Sequence, residues 1–230
     1  MRNVNQLTSI VLLVLILLLV NCYKAEKKQK IKIEKGKVGI IGYGSMMSLK
    51  SMESTIKEKY QDSIYLVHLL GYQREWNYGI YNYDTIWSEE DLKYDGFFVQ
   101  NKDTLLFEKT IYLNIVPQKD SRMNCVLYFI SSEKLKRFDE REKGYKRIDV
   151  SNMIEEYDFQ SAKVYAYKAL PNYVYHAESD KKISIIEKRY VDLVTAACDS
   201  IGLDFRREYE ASTKSFNPDM VAKVLWKKVR

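Results

Sequence analysis

The pattern of apolar and polar positions after residue 36 predicts a series of strands followed by helices. The run 37–43 (KVGIIGY) is mostly apolar, as expected of a buried first strand. Apolar residues then recur at helical spacing over 48–60, which predicts a tight turn and a helix. Further apolar segments, separated by polar turn residues, predict strands at 63–70, 96–100, 110–116, 124–130, 145–150 and 163–168.

Helical periodicity returns at three places in the second half of the chain. A short serine-capped helix is predicted from about residue 131 to 141. An apolar face at helical spacing over 183–201 predicts a longer helix, with Gly202 as a left-handed C-cap. The order Asn, Pro, Asp at 217–219 predicts the start of another helix. Residues 38–230 are therefore predicted to form one α+β domain, with a mixed, barrel-like curled sheet and surrounding helices.

The first 22 residues have the pattern of an export signal. Arg2 precedes the unbroken apolar stretch 10–20 (IVLLVLILLLV), which as a helix covers roughly half of a bilayer core. Cys22 follows in the sequence LLVNC, which resembles the lipobox of bacterial lipoproteins, where the signal is cut before a lipidated cysteine. Asn21 departs from the small residue usual there, so an uncleaved N-terminal anchor is the alternative. Either interpretation predicts an exported, membrane-anchored protein in the cell envelope, the periplasm or on the surface.

Charge is concentrated between this signal and the domain. Residues 23–37 contain seven lysines and two glutamates, and we expect them to form a flexible tether. Residues 38–230 then carry 29 basic and 29 acidic residues. The folded domain is formally neutral, which argues against a nucleic-acid-binding surface, whereas the tether can contact anionic lipid head groups.

The cysteines and histidines do not form a recognisable metal-binding pattern. No CxxC or HxxH pair occurs and the two histidines are far apart, so no metal site is predicted. Cys125 lies in an apolar strand and Cys198 in an apolar helix, which favours two buried, unreactive thiols over a disulfide. His68, in the segment LVHLL, is expected to be a hydrogen-bonded core histidine.

Two segments are candidates for chemistry. The segment 39–47 (GIIGYGSMM) begins like a dinucleotide-binding fingerprint, but Met47 stands where that fingerprint requires Gly or Ala. The next strand also lacks the acidic residue that should end it. The segment 135–150 (LKRFDEREKGYKRIDV), taken alone, is typical of a solvated helix end followed by a glycine turn and a strand.

The two segments together resemble the γ-glutamylcyclotransferase-like family. Five short motifs occur in the order seen in that family: 43–45 (YGS), 71–74 (GYQR), 113–117 (LNIVP), 126–128 (VLY) and 138–145 (FDEREKGY). The resemblance covers most of the domain, from about residue 38 to 213. It implies a cofactor-free enzyme that converts a γ-glutamyl peptide or amine to 5-oxoproline and a free amine.

The resemblance also implies which carboxylate would catalyse this reaction. The α-amine of the γ-glutamyl group attacks its own γ-carbonyl, so the enzyme need only fold the substrate and move protons. Glu142 is the residue that matches the family's general acid and base. Asp139 and Glu140 are rival carboxylates on the same helix end.

The turn formed by Tyr43, Gly44, Ser45 and Met46 is the expected counterpart of Glu142. Its backbone N–H groups, at the entry to a helix, are suited to hold the α-carboxylate of a γ-glutamyl group. Many relatives have Asn where this chain has Met46, and this difference bears on substrate identity.

Three more residues are candidates for the substrate pocket. Arg74 either faces the pocket or stacks on Trp76, and Tyr145 belongs to the Gly-Tyr pair that follows the catalytic motif. Tyr167 lies on the strand where relatives place a pocket-lining tyrosine, although a core role is also consistent with its position.

A different class of function is the alternative. Most γ-glutamyl compounds are concentrated inside cells, whereas this chain carries an export signal. A non-catalytic ligand-binding or surface-interaction lipoprotein with the same fold therefore competes with the enzyme, and a purely structural envelope role is a third hypothesis. The sequence leaves the leaving group and the oligomeric state open.

Overall fold

The computed structural model describes residues 28–81, 96–100, 107–178 and 183–228. The predicted signal sequence, Cys22 and the first part of the tether lie outside the described residues. Among the described helices, none has both the length and the apolar character needed to cross a bilayer.

The described part of the chain contains eleven strands and four α-helices. The strands are β1 (Gln29–Lys32), β2 (Lys37–Gly42), β3 (Tyr65–Tyr81), β4 (Gly96–Gln100), β5 (Lys109–Ser131), β6 (Tyr145–Asp149), β7 (Tyr157–Gln160), β8 (Val164–Ala169), β9 (Ser184–Glu187), β10 (Val221–Ala222) and β11 (Val224–Lys228). The α-helices are α1 (Leu49–Ile56), α2 (Leu135–Arg141), α3 (Lys188–Ile201) and α4 (Leu203–Ala211).

A seven-stranded mixed sheet forms the centre of the fold. Its strands run in the order β10, β9, β5, β2, β8 and β6, and β3 pairs with β5 beside this path. Strand β2 is antiparallel to β5 and parallel to β8, so its apolar sequence lies in the middle of the sheet, where both faces are covered. The predicted mixed α+β fold is confirmed.

The antiparallel ribbon of β3 and β5 is longer than the sequence predicts. The strands predicted separately at 110–116 and 124–130 are parts of β5, and the strand predicted at 63–70 continues to Tyr81. The register between the two strands shifts next to Gly71, whose φ of +76° lies in the region that favours glycine. The polar residues around this irregularity resemble a turn in the sequence, but they bend the ribbon without ending it.

The core lies where the helices pack on this sheet. Helix α1 begins at Ser48, whose hydroxyl accepts a hydrogen bond from the Ser51 N–H at 3.5 Å. The apolar faces predicted for α1 and α3 are buried for the most part, except that Leu49 is 40% exposed and Ile183, which precedes α3, is 51% exposed. Helix α4 was not predicted from the sequence. The buried helix residues include Met52, Ile56, Phe138, Val194, Ala197, Cys198, Phe205 and Tyr209.

The tether prediction is wrong for residues 28–37. Strand β1 pairs in parallel with β7, and the Lys28 ammonium donates to the Ile154 carbonyl at 2.6 Å. Lysines at 30 and 32 are exposed, while Ile31 packs against the core and Ile33 is buried. This alternation is a strand pattern, which the high lysine count of the segment obscures. The folded unit therefore begins before residue 38.

Three predicted helix boundaries also differ from the structure. Residues 184–187 form β9 because Ile185 and Ile186 are both buried between neighbouring parallel strands, so α3 starts only at Lys188. Gly202 ends α3 with φ +145° and ψ 165°, which is a positive φ but not a left-handed helical one. Residues 132–134 form a 3-10 turn before α2, without a serine side-chain cap.

The segment at 217–219 does not start a regular helix. The Asn217 side chain accepts a hydrogen bond from the Asp219 N–H at 3.0 Å, as a cap would. The chain forms only the three-residue 3-10 helix Pro218–Met220 and then enters β10.

The prediction of two unreactive thiols is confirmed. Cys125 and Cys198 are buried and unpaired. Burial raises the pKa of the Cys125 thiol to about 12 and that of Cys198 to about 11. At neutral pH both side chains are therefore protonated and behave as small apolar groups.

Candidate active site

A tight turn at the end of β2 forms one wall of the site. The chain leaves the strand at Gly42, passes through Tyr43 and Gly44, and makes the 3-10 helix Ser45–Met47. A side chain at Gly42 would place its Cβ 2.5 Å from the Met46 carbonyl oxygen, so the turn can be this tight only with glycine there. Residues 43–46 of this turn line the space in front of it.

Glu142 lies at the end of α2 and forms the opposite wall. Its backbone N–H donates to the Phe138 carbonyl at 2.8 Å, and its carbonyl accepts from the Tyr145 N–H at 2.8 Å. The Glu142 side chain is 18% exposed, against 45% for Asp139 and 57% for Glu140. Of the three carboxylates in this run, Glu142 is the most buried.

The two walls enclose a small cavity of about 40 Å³. The residues that line it come from the turn, from four strands and from two α-helices. They are Ile40, Ile41, Tyr43, Gly44, Ser45, Met46, Leu113, Phe138, Glu142, Tyr145, Tyr167 and Tyr190. Glu142 is the only carboxylate among these lining residues.

Arg141 connects Glu142 to the turn. Its Nε lies 3.1 Å from Glu142 Oε1, and its Nη2 donates to the Ser45 hydroxyl at 3.0 Å. Its Nη1 donates to the Thr55 hydroxyl at 2.5 Å, which fixes the guanidinium against α1. The Arg141 side chain therefore fixes the position of the Glu142 carboxylate relative to the turn.

The surroundings of Glu142 favour its neutral form. Burial raises the pKa of Glu142 above its ordinary value, while the adjacent Arg141 acts in the opposite direction. Burial also raises the pKa values of Tyr43 and Tyr145 well above their ordinary range, and that of Tyr190 to about 12. The tyrosines in the cavity are therefore neutral at physiological pH, and Glu142 is the group there that can exchange a proton.

Hydrogen bonds from tyrosine hydroxyls connect the residues that surround the cavity. The Tyr43 hydroxyl donates to the Tyr167 carbonyl at 2.5 Å, and the Tyr145 hydroxyl donates to the Leu113 carbonyl at 2.8 Å. The Tyr167 hydroxyl donates to Asp139 Oδ1 at 2.8 Å. Asp139, a rival carboxylate in the sequence, is thus engaged outside the cavity lining.

The structure brings seven of the eight predicted pocket residues together around the cavity. Their roles in binding and catalysis stay predictions. Arg74 is the exception, because its guanidinium is fully buried behind the turn and does not line the cavity. The predicted stacking partner is also wrong, since Arg74 lies over the Tyr209 ring, 4.8 Å from its centroid, and not over Trp76.

Sequence reasoning missed Tyr190. This residue belongs to the apolar face of α3, but its hydroxyl reaches the backbone and the side chain of Ser45. A Cβ at Gly44 would lie 2.9 Å from that hydroxyl. A tyrosine among aliphatic residues on a buried helix face is a signal for such a contact, because its hydroxyl needs a partner.

Tyr190 also separates the cavity from a larger space. An open basin of about 1040 Å³ lies between α1, α2 and the start of α3, and Tyr190 lines both it and the cavity. Ligand sites usually occupy roughly 300 Å³ or more. A substrate larger than the cavity would therefore extend towards the basin past Tyr190.

One group in the described residues has metal-ligating atoms close together. Oxygen and nitrogen atoms of His68, Glu155 and Glu156 lie within 4.8 Å of one another. Arg122 is already in contact with two of them, through its Nε with Glu155 and through its Nη2 with His68 Nδ1 at 2.9 Å. A metal ion there would have to compete with the guanidinium, and the group lies outside the cavity lining.

No protein-family model matches this chain, and no curated protein matches it either. Solved structures do resemble it. A structure named γ-glutamyl cyclotransferase aligns with a TM-score of 0.49 at 10% identity, covering 81% of this chain and 94% of that one. An uncharacterized protein from Homo sapiens aligns with a TM-score of 0.48 at 12% identity, covering 81% and 96%. YkqA from Bacillus subtilis aligns at 0.46 and 15% identity, covering 79% and 57%. Similarities of this size carry no argument about activity, so the argument below rests on the site itself.

Proposed function

We propose that the domain is a cofactor-free γ-glutamylcyclotransferase, which releases 5-oxoproline and an amine from a γ-glutamyl peptide or amine. The observation that carries this proposal is the placement of Glu142. It is a largely buried carboxylate with a raised pKa, in a cavity whose opposite wall is the backbone turn Tyr43–Met46. The five motifs that resemble the γ-glutamylcyclotransferase-like family support the same reaction.

In the proposed reaction Glu142 moves a single proton. The ionised carboxylate accepts a proton from the α-amino group as that nitrogen bonds to the γ-carbonyl carbon. The protonated Glu142 then donates it to the leaving nitrogen as the old C–N bond breaks. A raised pKa suits both steps, because the carboxyl group must gain and lose the proton near neutral pH.

The turn would hold the substrate in position for this step. Gly44 and Met46 line the cavity, so an anion bound there would lie close to the backbone N–H groups of the turn. The α-carboxylate of a γ-glutamyl group is an anion of the right kind. Binding it there would fold the flexible substrate so that its amine meets its own γ-carbonyl.

We also propose that the protein is an exported lipoprotein anchored through Cys22. The apolar stretch at 10–20 and the LLVNC sequence support this, and both lie outside the described residues. Metabolic labelling of the full-length chain with an alkyne fatty acid tests it. Label on the wild type but not on Cys22→Ser is the expected result, whereas equal label on both contradicts lipidation at Cys22.

The enzymatic proposal is tested by product formation. The full-length protein is incubated with a mixture of γ-glutamyl peptides and amines, and 5-oxoproline is measured by mass spectrometry. Glu142→Gln is nearly isosteric and should abolish the product, whereas the matched control Glu140→Gln, on the exposed side of the same helix, should retain activity. A fully active Glu142→Gln variant contradicts the assignment of Glu142.

The same experiment separates catalysis from binding. A folded wild-type protein that releases no 5-oxoproline, but whose melting temperature rises with a γ-glutamyl compound, would be the non-catalytic binding lipoprotein. Turnover that depends on Glu142 excludes that alternative.

A further inference from the structure

Arg74 is a fully buried arginine directly behind the turn. Its Nε donates to the Tyr43 carbonyl at 2.8 Å, and its Nη1 donates to the Ser212 hydroxyl at 2.8 Å. Its Nη2 donates to the Asn124 side-chain oxygen at 3.0 Å and to the Asn124 carbonyl. Four of the five N–H donors of the guanidinium thus meet neutral oxygen atoms.

Arg74 has no carboxylate partner. Within the part of the chain that the structure describes, no Asp or Glu lies at salt-bridge distance from its guanidinium. Burying a cation without a counter-charge is costly, and apolar residues usually fill such positions at lower cost. The cation–π contact with the Tyr209 ring offsets part of this cost, but it does not replace a counter-charge.

The geometry of one peptide bond connects Arg74 to the cavity. The Tyr43 carbonyl points at the guanidinium, and the N–H of the same peptide belongs to Gly44. Because a trans peptide is planar, this N–H points away from Arg74. Gly44 lines the cavity, whereas Arg74 does not. The guanidinium and an anion at this N–H would lie on opposite sides of a single peptide unit.

We propose that Arg74 is a positioning residue whose charge acts through the Tyr43–Gly44 peptide to favour a carboxylate in the cavity. The hydrogen bond to the Tyr43 carbonyl fixes the direction of the Gly44 N–H. A carboxylate bound on the other side of the turn would supply the counter-charge that Arg74 otherwise lacks. The inference rests on the proposed function for the identity of the anion, the α-carboxylate of a γ-glutamyl group.

The expected size of this effect follows from the separation of the charges. Two hydrogen bonds and one peptide unit put the carboxylate roughly 8 Å from the guanidinium. At an effective dielectric constant of about 20, the attraction between unit charges at this distance corresponds to about thirtyfold in affinity. Removing the charge should therefore weaken carboxylate binding by about tenfold to thirtyfold.

Binding of two small ligands distinguishes a charge effect from general damage to the fold. The first is 5-oxoproline, the proposed product, and the second is 2-pyrrolidinone, the same ring without the carboxylate. Dissociation constants are measured by calorimetry for the full-length wild type, Arg74→Met and Ser212→Ala. The Ser212 variant is the matched control, since it removes one hydrogen-bond partner of Arg74 and keeps the charge.

Arg74→Met should weaken 5-oxoproline binding by the stated factor and leave 2-pyrrolidinone binding nearly unchanged. Ser212→Ala should lower the melting temperature without altering the ratio of the two affinities. If Arg74→Met does not fold, Arg74→Gln, a neutral donor, should give the same result. An equal loss for both ligands, no loss for either, or no binding of 5-oxoproline by the wild type would overturn the inference.

Turnover provides an independent readout. In Arg74→Met the KM for a γ-glutamyl substrate should rise by the same factor as the dissociation constant of 5-oxoproline. The kcat should change less, because Arg74 acts on binding of the carboxylate and not on the proton transfer. A selective fall in kcat would overturn the inference. Carboxylate binding that depends on Arg74, in a protein without turnover, would refute the proposed reaction and leave the inference intact.

Discussion

Replacing Asn114 by leucine should destabilise the domain strongly although the two side chains have the same number and branching of heavy atoms. Asn114 is fully buried in β5, next to Leu113 of the cavity wall. Its Oδ1 accepts a hydrogen bond from the Ala169 N–H at 2.8 Å, and its Nδ2 donates to Asn77 Oδ1 at 2.9 Å. A single amide thus connects β5 with β8 and with β3.

The cost can be worked out from these two hydrogen bonds. In Asn114→Leu the Ala169 N–H loses its acceptor in a buried place, which costs about 1–3 kcal/mol. The lost bond to Asn77 adds about 1 kcal/mol, since Asn77 is only half-buried and can turn to solvent. The free energy of unfolding should fall by about 2–4 kcal/mol in total. In a domain of this size the melting temperature would then drop by about 4–16 °C.

Urea denaturation at equilibrium measures this free energy. Asn152→Ala, a change at an exposed asparagine, is the control and should stay within about 0.5 kcal/mol of wild type. The double variant Asn77→Ala/Asn114→Leu should be less stable than Asn114→Leu only by the bond from Asn77 Nδ2 to Glu75, about 1 kcal/mol, because the bond between Asn77 and Asn114 is lost only once. A single Asn114→Leu variant as stable as wild type would refute the reasoning.

Three further predictions concern stability around the site and the histidine. Burial raises the pKa of Glu142 in the folded protein. The stability that the protonated Glu142 contributes to the folded state is therefore fully present below about pH 4.5 and is lost as the pH rises through the folded pKa. In thermal melts at pH 8 the Glu142→Gln variant should have a higher melting temperature than wild type, and a lower one contradicts this. Gly144→Ala places a Cβ 2.7 Å from a ring carbon of Tyr78, so the free energy of unfolding measured by chemical denaturation should fall by about 1–3 kcal/mol. An unchanged denaturation midpoint would show that the Tyr78 ring moves aside freely. Burial lowers the pKa of His68, but hydrogen bonds to Glu156 and Glu208 raise it, and the net effect is a raised pKa. The stability that His68 contributes to the folded state is therefore fully present below about pH 6.5 and is lost above the folded pKa. His68→Gln should destabilise the protein more at pH 6 than at pH 9, and a pH-independent difference would rule this out.

Some of these features could be predicted from neighbouring residues alone. The apolar run of β2, the buried faces of α1 and α3 and the glycine-dependent turn after β2 depend on periodicity and local backbone sterics. The family resemblance picked out Glu142 and, in the same motif, Tyr145, while Tyr167 was predicted from the strand where relatives place a pocket-lining tyrosine. The lysine-rich start of the domain was misjudged because composition was weighed more heavily than the alternation at Ile31 and Ile33.

Other features depend on contacts between residues far apart in the chain. In the sequence Asp139, Glu140 and Glu142 are nearly equivalent, and only the packing of α2 against the sheet leaves Glu142 with the least exposed side chain of the three. Tyr190 reaches Ser45, and Arg74 reaches Tyr43, only because the tertiary fold brings these distant parts of the chain together. The sequence by itself located α1, α2, α3 and five strands of the central sheet, and it singled out the motifs at 43–45 and 138–145 that meet at the cavity. The tertiary structure decided burial and charge compensation at the site, because these depend on the register and packing of elements that local sequence does not encode.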